Sequence, residues 1–356
     1  MDSRAKGGTH LAALVRMAIP LCKQAEREHP RKGPGRKPDH PDWLLAVLIM
    51  VTVLKRKKTK SAQFRWIHNH RKELQKMLNV TALPARSTYF DRYHRAHKLF
   101  VHAIELQGKK AIDEGVVAPQ SIAVDQSLIA ARGPKWHKSD RQKNRVPKRL
   151  RGVDRDSTWG YSKHDRWVQG YSFEVVVSAT KASTVFPLLA SVSTACAKET
   201  TTFEPKINHL PEASKNVLAD CGYDSNKVAE RIEWIDEHRR TGRRFLCPEN
   251  PRGSKPKSKS AHKPPRNESH RRRQQRRKFY KSPRGRRLYA RRSQTVEPFN
   301  EWFKSLFELE DRVWHRGLEN NQTQLLAAIF AYQLLVRYNH RKGYENGQIR
   351  WIIDAL

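Results

Sequence analysis

The sequence predicts an α/β protein in which a mixed β-sheet with flanking helices follows a segment that is helical throughout. Residues 1–115 show helical periodicity without a strand pattern, strand patterns begin at Pro119, and helical patterns return after residue 225. Hydrophobic residues make up 37% of the 356 residues, which is enough for a sizeable core. This length indicates roughly two domains.

Three helices are predicted within the first 115 residues. The apolar run Trp43–Leu54 is shorter than the roughly 20 residues that a membrane span needs, so we expect a buried helix. A second helix covers Ser61–Leu78, and a third begins near Ser87. The third helix mixes basic and aromatic side chains, including Arg92. That mixture fits a helix lying against DNA and equally a helix with one solvated basic face.

The region after Pro119 predicts five strands and three longer helices. Three adjacent antiparallel strands, followed by helices that alternate with two further strands, indicate a mixed sheet of the ribonuclease H-like kind. Such a sheet places the ends of the first and fourth strands side by side. The strands are Ser121–Ala130, Gln169–Ala179, Val185–Thr194, Asn216–Asp220 and Arg243–Pro248, and the helices are Ser225–Thr241, Thr295–Glu310 and Asn320–Arg341.

These elements suggest a helical domain over residues 1–115 that we expect to bind DNA ends, a ribonuclease H-like catalytic domain over 116–345 and a C-terminal tail over 346–356. The segment 251–292 carries 18 Lys or Arg against one acid, together with several Pro and Ser residues. It cannot bury enough apolar surface to fold alone, so we expect a flexible insertion. A second basic loop, Arg132–Arg151, holds nine Lys or Arg and one Asp.

The overall charge predicts a polyanionic partner. Lys and Arg total 71 against 35 acidic residues, a formal net charge of +36, which points to nucleic acid. The four cysteines show neither Cys-x-x-Cys spacing nor clustering with histidine, so we expect no zinc site and no disulfide. Reduced thiols and the lack of a secretory signal or membrane span indicate a cytoplasmic, nucleoid-associated protein with no membrane partner.

Three acidic residues in unlike settings suggest a carboxylate site for divalent metal. Asp125 ends the run Ser-Ile-Ala-Val, Asp220 follows Val-Leu-Ala, and Glu297 precedes a proline that places it in a first helical turn. Mg²⁺ prefers oxygen ligands, and a pair of ions can hold the attacking and leaving oxygens of a phosphoryl displacement. Taken alone, Asp125 is a turn residue and Glu297 belongs to a solvated helix face, and Glu301 is a rival third ligand.

The three acids in their contexts resemble the DDE motif of prokaryotic insertion-sequence transposases. Tyr289, Arg292, Glu297 and Lys304 are similar to the Tyr-Arg-Glu-Lys signature of that group. Two residues separate Tyr289 from Arg292 and six separate Glu297 from Lys304, as in the family pattern. Four residues rather than three separate Arg292 from Glu297, which makes Arg291 an equally near neighbour.

The resemblance covers about residues 40–340 and implies a ribonuclease H-like catalytic domain. It also implies two Mg²⁺ or Mn²⁺ ions at Asp125, Asp220 and Glu297, binding to the element's terminal inverted repeats and to target DNA, and action as a homo-oligomer. By the same resemblance, Tyr289, Arg292 and Lys304 contact phosphate near the cut.

Further DNA contacts are expected from one tryptophan and from the basic segments. Trp159–Gly160 and Gly170–Tyr171 also resemble dipeptides of this group. Trp159 is a candidate for stacking on an unpaired or flipped base, and equally a buried core residue. The two basic loops, including Arg271, Arg272 and Arg273, are expected to hold flanking and target DNA, with binding that weakens as salt is added.

The sequence thus predicts a DNA transposase that cleaves and joins strands at the ends of a mobile element. No Gly-x-x-x-x-Gly-Lys loop is present, so bound nucleotide would not drive the reaction. Two alternatives remain. One is a non-catalytic DNA-binding protein derived from a transposase, and the other is a nuclease of the same fold without strand transfer.

Overall fold

The computed structural model describes residues 7–30, 39–236, 238–251, 267–344 and 348–356. The described chain before the sheet is helical, with helices α1 (Gly7–Glu28), α2 (Asp42–Leu54), α3 (Lys60–Asn69), α4 (Arg71–Leu78), α5 (Arg86–Tyr93) and α6 (His97–Asp113). None of the helices in the described ranges is both long and apolar enough to span a bilayer.

The described chain from residue 121 onward contains the strands of the sheet and further helices. The strands are β1 (Ser121–Ala130), β2 (Thr158–Ser162), β3 (Arg166–Ser178), β4 (Pro187–Thr194), β5 (Asn216–Leu218) and β6 (Arg244–Leu246). The helices are α7 (Lys138–Gln142), α8 (Glu199–Phe203), α9 (Asn226–Glu233), α10 (Glu268–Lys281), α11 (Pro283–Tyr289), α12 (Val296–Leu306), α13 (Leu318–Arg341) and α14 (Arg350–Ala355). Two short 3-10 helices cover Glu204–His209 and Cys221–Tyr223.

The six strands form one mixed sheet in the order β2-β3-β1-β5-β6, and β4 also pairs with β3. β3 is antiparallel to β1, β2 and β4, whereas β5 is parallel to both β1 and β6. The predicted mixed sheet with flanking helices is therefore confirmed. All five predicted strands are present. A sixth strand, β2, was not predicted; its residues Thr-Trp-Gly-Tyr-Ser pair with β3 across a short turn.

Helix α13 packs against helices α1, α2 and α6 and against strands β3 and β4 of the sheet. Every side chain from Leu325 to Asn339 is buried. Gln333 Nε2 donates to the Ile104 carbonyl of α6 at 3.0 Å and to the Pro187 carbonyl of β4 at 2.7 Å. The helices before β1 and the sheet consequently share one hydrophobic core. The boundary between residues 115 and 116 stays a prediction.

The buried helix predicted at Trp43–Leu54 is confirmed by α2, whose residues from Trp43 onward are all buried against neighbours that include α1 and α13. The single helix predicted over Ser61–Leu78 is wrong, because the chain forms α3 and α4 with a break at His70. The His70 backbone leaves the helical conformation (φ −105°, ψ 20°), and its ring stacks on Trp66 at 4.3 Å.

The helix predicted over Ser225–Thr241 is also wrong in extent, since α9 ends at Glu233. Trp234 is extended and forms an antiparallel bridge with Arg240. The guanidinium groups of Arg240 and Arg272 lie over the Trp234 ring at 4.7 and 3.7 Å. The Arg272 contact comes from a distant segment, so the local helical pattern could not reveal it.

Two segments that we expected to be irregular are helical. From Glu268 onward, the predicted insertion 251–292 forms α10 and α11; residues 252–266 lie outside the described part of the chain. Acids from other segments pair with two arginines of α10, Arg273 with Asp224 and Arg276 with Glu233. The predicted C-terminal tail carries α14, which buries Ile352 and Ile353.

Candidate active site

Asp125 lies in the middle of β1, not at a strand end as predicted. It pairs with Val175 of β3, but the parallel pairing of β1 with β5 stops at Ala123, opposite Leu218. Beyond that point α12 contacts β1. The bounds Ser121–Ala130 of the strand were predicted correctly, but the strand-end position of Asp125 was inferred from the end of the apolar run at Val124, whereas the pairing with β3 continues beyond it.

Asp220 lies two residues after Leu218, as Asp125 lies two residues after Ala123. The two acids thus follow the last residue pair of two neighbouring parallel strands by the same distance along the chain, and the charge of Asp220 acts on Asp125. Asp220 caps the 3-10 helix Cys221–Tyr223, and its Oδ1 accepts a hydrogen bond from the Gly222 N–H at 2.8 Å.

Arg292 joins Asp125 to Glu297. Its Nη2 donates to Asp125 Oδ1 at 2.5 Å, and its Nη1 donates to Glu297 Oε1 at 2.9 Å. Glu297 is the second residue of α12, which confirms that it lies in a first helical turn. Arg292 rather than Arg291 makes these contacts, so the structure places Asp125, Arg292 and Glu297 of the predicted set together.

Asn300 was not predicted from the sequence and also contacts Asp125. It lies on α12 about one turn after Glu297, and its Nδ2 donates to Asp125 Oδ2 at 2.8 Å. Asn300 is 7% exposed, and its Oδ1 has no hydrogen-bond partner within the described chain. A buried amide oxygen without a donor is costly, and it is a suitable ligand for a hard cation or a water molecule. The available signal was an amide among the apolar residues Val296, Phe299 and Phe303.

Glu199, the first residue of α8, is a further acid that sequence reasoning missed. Its carboxylate lies against the α-carbon of Gly222, because a Cβ added to Gly222 would be 1.4 Å from Glu199 Oε2. Burial, followed by the charges of Asp220, Asp125 and Glu174, raises the pKa of Glu199 to about 8. Glu199 follows a loop that carries no motif, so only the tertiary structure reveals its position.

The carboxylates of the site lie close enough together for their charges to raise the pKa of their neighbours. Burial raises the pKa of Asp125 to about 6; Arg292 opposes this shift, and the charges of Asp220 and Glu297 add to it. No three Asp, Glu, His or Cys side chains in the described ranges stand in a ready arrangement for a metal ion. The donor chemistry of the carboxylates and of Asn300 Oδ1 nevertheless fits a hard divalent cation, with Arg292 as the group that now bridges Asp125 and Glu297.

Lys304 and Tyr289 flank this centre. Burial lowers the pKa of Lys304, while Asp165, Glu301 and Asp125 act in the opposite direction. Burial raises the pKa of Tyr289, and the charge of Arg292 opposes that shift. Both side chains are partly exposed, so they are open to a ligand that approaches Arg292.

Trp159 is partly buried and hydrogen-bonded, whereas a nearby tryptophan is exposed. The Trp159 Nε1–H donates to the Trp136 carbonyl at 2.9 Å. Trp167, on the paired strand β3, is 54% exposed and contacts the 41% exposed Tyr161 edge to face at 5.4 Å. Gly160 next to Trp159 is required by close approach, since a Cβ there would be 2.4 Å from the Ala195 carbonyl oxygen.

The four arginines predicted to contact DNA differ in exposure and in the partners that their guanidinium groups already have. Arg271 is exposed, but Arg272 lies on the Trp234 ring and Arg273 donates to Asp224 at 2.8 Å. Arg92 is bound to Asp42 and to the His40 carbonyl, so its guanidinium stabilises the entry to α2. At Arg92, α5 therefore contributes a bond within the protein.

A family model described as a transposase DDE domain matches residues 118–334, more than half of the chain. Among solved structures, the chain is similar to a cryo-EM structure of a piggyBac transposase synaptic complex with hairpin DNA. The TM-score is 0.40 at 9% sequence identity, over 99% of this chain and 79% of that chain. No curated protein matches the sequence.

Proposed function

The chain belongs to the transposase DDE domain family and is a DNA transposase, and we propose that Asp125, Asp220 and Glu297 are its catalytic acids. The observation that carries this assignment is the parallel pairing of β1 with β5, which brings Asp125 and Asp220 to one side of the sheet. Glu297 joins them through Arg292. The order of the five predicted strands in the sheet supports a ribonuclease H-like catalytic fold.

Members of this family generally use divalent metal ions. We propose two Mg²⁺ or Mn²⁺ ions held by Asp125, Asp220 and Glu297. When bound, such ions activate the attacking water or 3′-hydroxyl and stabilise the charge of the leaving oxygen. Asn300 orients the Asp125 carboxylate by its hydrogen bond to Oδ2, the oxygen that Arg292 does not contact.

Arg292 has a second role in this proposal. Its guanidinium is a planar donor that suits a phosphate as well as a carboxylate. A DNA phosphate at the site therefore competes with Asp125 and Glu297 for Arg292. Tyr289 and Lys304, which flank Arg292, complete a phosphate-binding group on the DNA strand to be cut.

The DNA substrate is proposed to be the terminal inverted repeats of an insertion sequence, with target DNA as the second partner. The +36 charge supports binding of two duplexes. Exposed Lys and Arg side chains of the loop Arg132–Arg151 and of α10, such as Lys143 and Arg271, supply phosphate contacts. Action as a homo-oligomer at the cytoplasmic nucleoid completes the proposal.

The test uses full-length protein and a linear DNA that carries the sequences flanking the reading frame. With Mg²⁺, we expect nicks at the element boundaries and products joined to a second DNA. Asp125→Asn, Asp220→Asn and Glu297→Gln should each abolish cleavage and leave DNA binding nearly unchanged. Glu301→Gln, a change on the exposed side of α12, should cleave normally.

The same assay separates the alternatives. Cleavage without joined products would indicate a nuclease, and binding without cleavage by the unmodified protein would indicate a non-catalytic protein. Normal cleavage by all three acid variants would show that the assignment of the acids is wrong.

A further inference from the structure

A buried polar cluster lies directly behind the candidate acids. Glu174, in β3, is 1% exposed and accepts three hydrogen bonds: from Lys206 Nζ at 2.6 Å, from Thr202 Oγ1 at 2.7 Å and from the Tyr223 hydroxyl at 2.9 Å. Lys206 is 8% exposed and also donates to the Thr202 carbonyl at 2.7 Å. We call Glu174, Lys206, Thr202 and Tyr223 the Glu174 cluster.

Stability alone does not account for this cluster. A buried ion pair loses its hydration, and apolar residues of similar volume are often as stable or more stable in its place. An aromatic ring packs beside the cluster, since Phe203 lies edge to face on Tyr223 at 5.6 Å, and Lys206 Nζ makes a further bond to the Ser191 hydroxyl. An entirely hydrophobic contact would therefore hold these elements together. What an ion pair adds is a fixed geometry between the groups that it connects.

The cluster connects the two segments that carry Asp220 and Glu199 to β3, the strand that pairs with β1 at Asp125. Glu174 is next to Val175, the cross-strand partner of Asp125. Tyr223 follows Asp220 by three residues and ends the 3-10 helix that Asp220 caps. Thr202 lies on α8, the helix that begins with Glu199. One buried carboxylate thus links β3, the Asp220 turn and the Glu199 helix.

Gly222 couples the last two segments. Its N–H donates to Asp220 Oδ1 at 2.8 Å, while the Glu199 carboxylate lies against its α-carbon. A shift of Tyr223 would therefore move Gly222 and, with it, both Asp220 and Glu199.

We propose that Glu174 and Lys206 are positioning residues that fix Asp220 and Glu199 relative to Asp125 for DNA strand cleavage. The inference rests on the proposed function, because it needs Asp220 to be a catalytic acid. The cluster touches neither DNA nor the reacting atoms. It acts by holding Tyr223 and Thr202, and a displacement of the acids by about 1 Å lowers the rate by up to roughly 100-fold.

The test replaces the ion pair by apolar side chains in the full-length chain, as Glu174→Met with Lys206→Met. We expect this double variant to stay folded and to melt close to the temperature of the unmodified protein, because the gain from removing a buried ion pair is offset by the Tyr223 hydroxyl, which loses its acceptor. Its DNA affinity should be unchanged, its cleavage rate should fall by roughly 10- to 100-fold, and half-maximal cleavage should need more Mg²⁺. Glu204→Gln, which breaks the surface pairs with Lys227 and Arg231, is the control and should match the unmodified protein.

Normal cleavage and normal Mg²⁺ dependence in a folded double variant would overturn the inference. If the double variant does not fold, Tyr223→Phe decides, because it removes one hydroxyl from the cluster. Slower cleavage at unchanged DNA affinity supports the inference, and an unchanged rate overturns it. Asp125→Asn separates the two proposals. Cleavage by this variant contradicts the proposed function. If Asp125→Asn is inactive and the double variant is fully active, only the positioning role is contradicted.

Discussion

Arg292 and Asp125 form an ion pair in which the two side chains are only 11% and 14% exposed. Glu297, the other acid that Arg292 contacts, is 53% exposed. The guanidinium therefore compensates chiefly the charge of Asp125, which burial would otherwise make expensive.

Removal of Arg292 should destabilise the protein through Asp125. Arg292→Gln leaves a mostly buried carboxylate with Asn300 as its remaining donor, and we expect the free energy of unfolding to fall by about 3 kcal/mol. Adding Asp125→Asn should restore most of that loss, because no charge then remains to be compensated. Urea unfolding in EDTA of both single variants and the double variant measures this coupling. Additive effects of the two changes would contradict it.

Arg271 and Arg273 should separate DNA binding from stability. Arg271→Gln removes an exposed charge, so DNA affinity should fall several-fold and the salt slope should decrease by about one unit. The melting temperature should not change. Arg273→Gln breaks a pair with Asp224 and should lower the melting temperature. Fluorescence anisotropy at several salt concentrations, with thermal melts, checks both. Equal effects on affinity and stability for the two variants would contradict the distinction.

Trp167 should contact unpaired DNA, whereas Trp159 should support the fold. Exposed aromatic rings beside cationic groups bind bases by stacking, and the Lys138 ammonium lies 4.6 Å from the Trp167 ring. Trp167→Ala should weaken binding of a single-stranded oligonucleotide by roughly 5- to 100-fold at unchanged melting temperature. Trp159→Ala should lower the melting temperature, because it removes a ring and its bond to the Trp136 carbonyl.

The control for this comparison is Trp351→Ala, which changes another exposed tryptophan, one that contacts Tyr344. The affinity of the Trp351→Ala variant for the oligonucleotide should equal that of the unmodified protein. An affinity loss in the Trp351 variant as large as that in the Trp167 variant would contradict a specific stacking role.

His315 should make the protein sensitive to acid. Burial lowers the pKa of His315 to about 3 from its ordinary 6.5. The unfolded state therefore binds a proton below pH 6.5 that the folded state does not. Stability should be complete above pH 6.5 and fall as the pH is lowered, with a contribution of about 1.4 kcal/mol per unit from this one residue.

Urea unfolding between pH 7 and 4.5 checks this expectation by comparing two variants. His315→Gln should show a shallower loss than the unmodified protein, although the exchange also removes the bond with the Tyr93 hydroxyl. His164→Gln, a change at a fully accessible ring, should keep the original slope. The same slope in all three proteins would show that His315 is not responsible.

Local patterns predicted much of the architecture. The apolar run of α2 was recognisable because burial on several sides leaves a nearly continuous apolar sequence, and β1 and β4 were recognisable because each begins with a short, mostly apolar buried run. The proline after Glu297 located the start of α12 because proline is tolerated there. Errors arose where distant groups decide the backbone, as at Trp234, and in α10, whose arginines pair with acids from other segments.

The sequence by itself determined the α/β class, the basic character of the surface and the identity of three candidate acids, because periodicity, charge and proline placement act over a few residues. Only the tertiary structure decided that Arg292 joins Asp125 to Glu297, that Asn300 and Glu199 belong beside them, and that Glu174 lies behind them. These contacts join residues far apart along the chain, and their formation depends on strand register and helix packing, which no local pattern records.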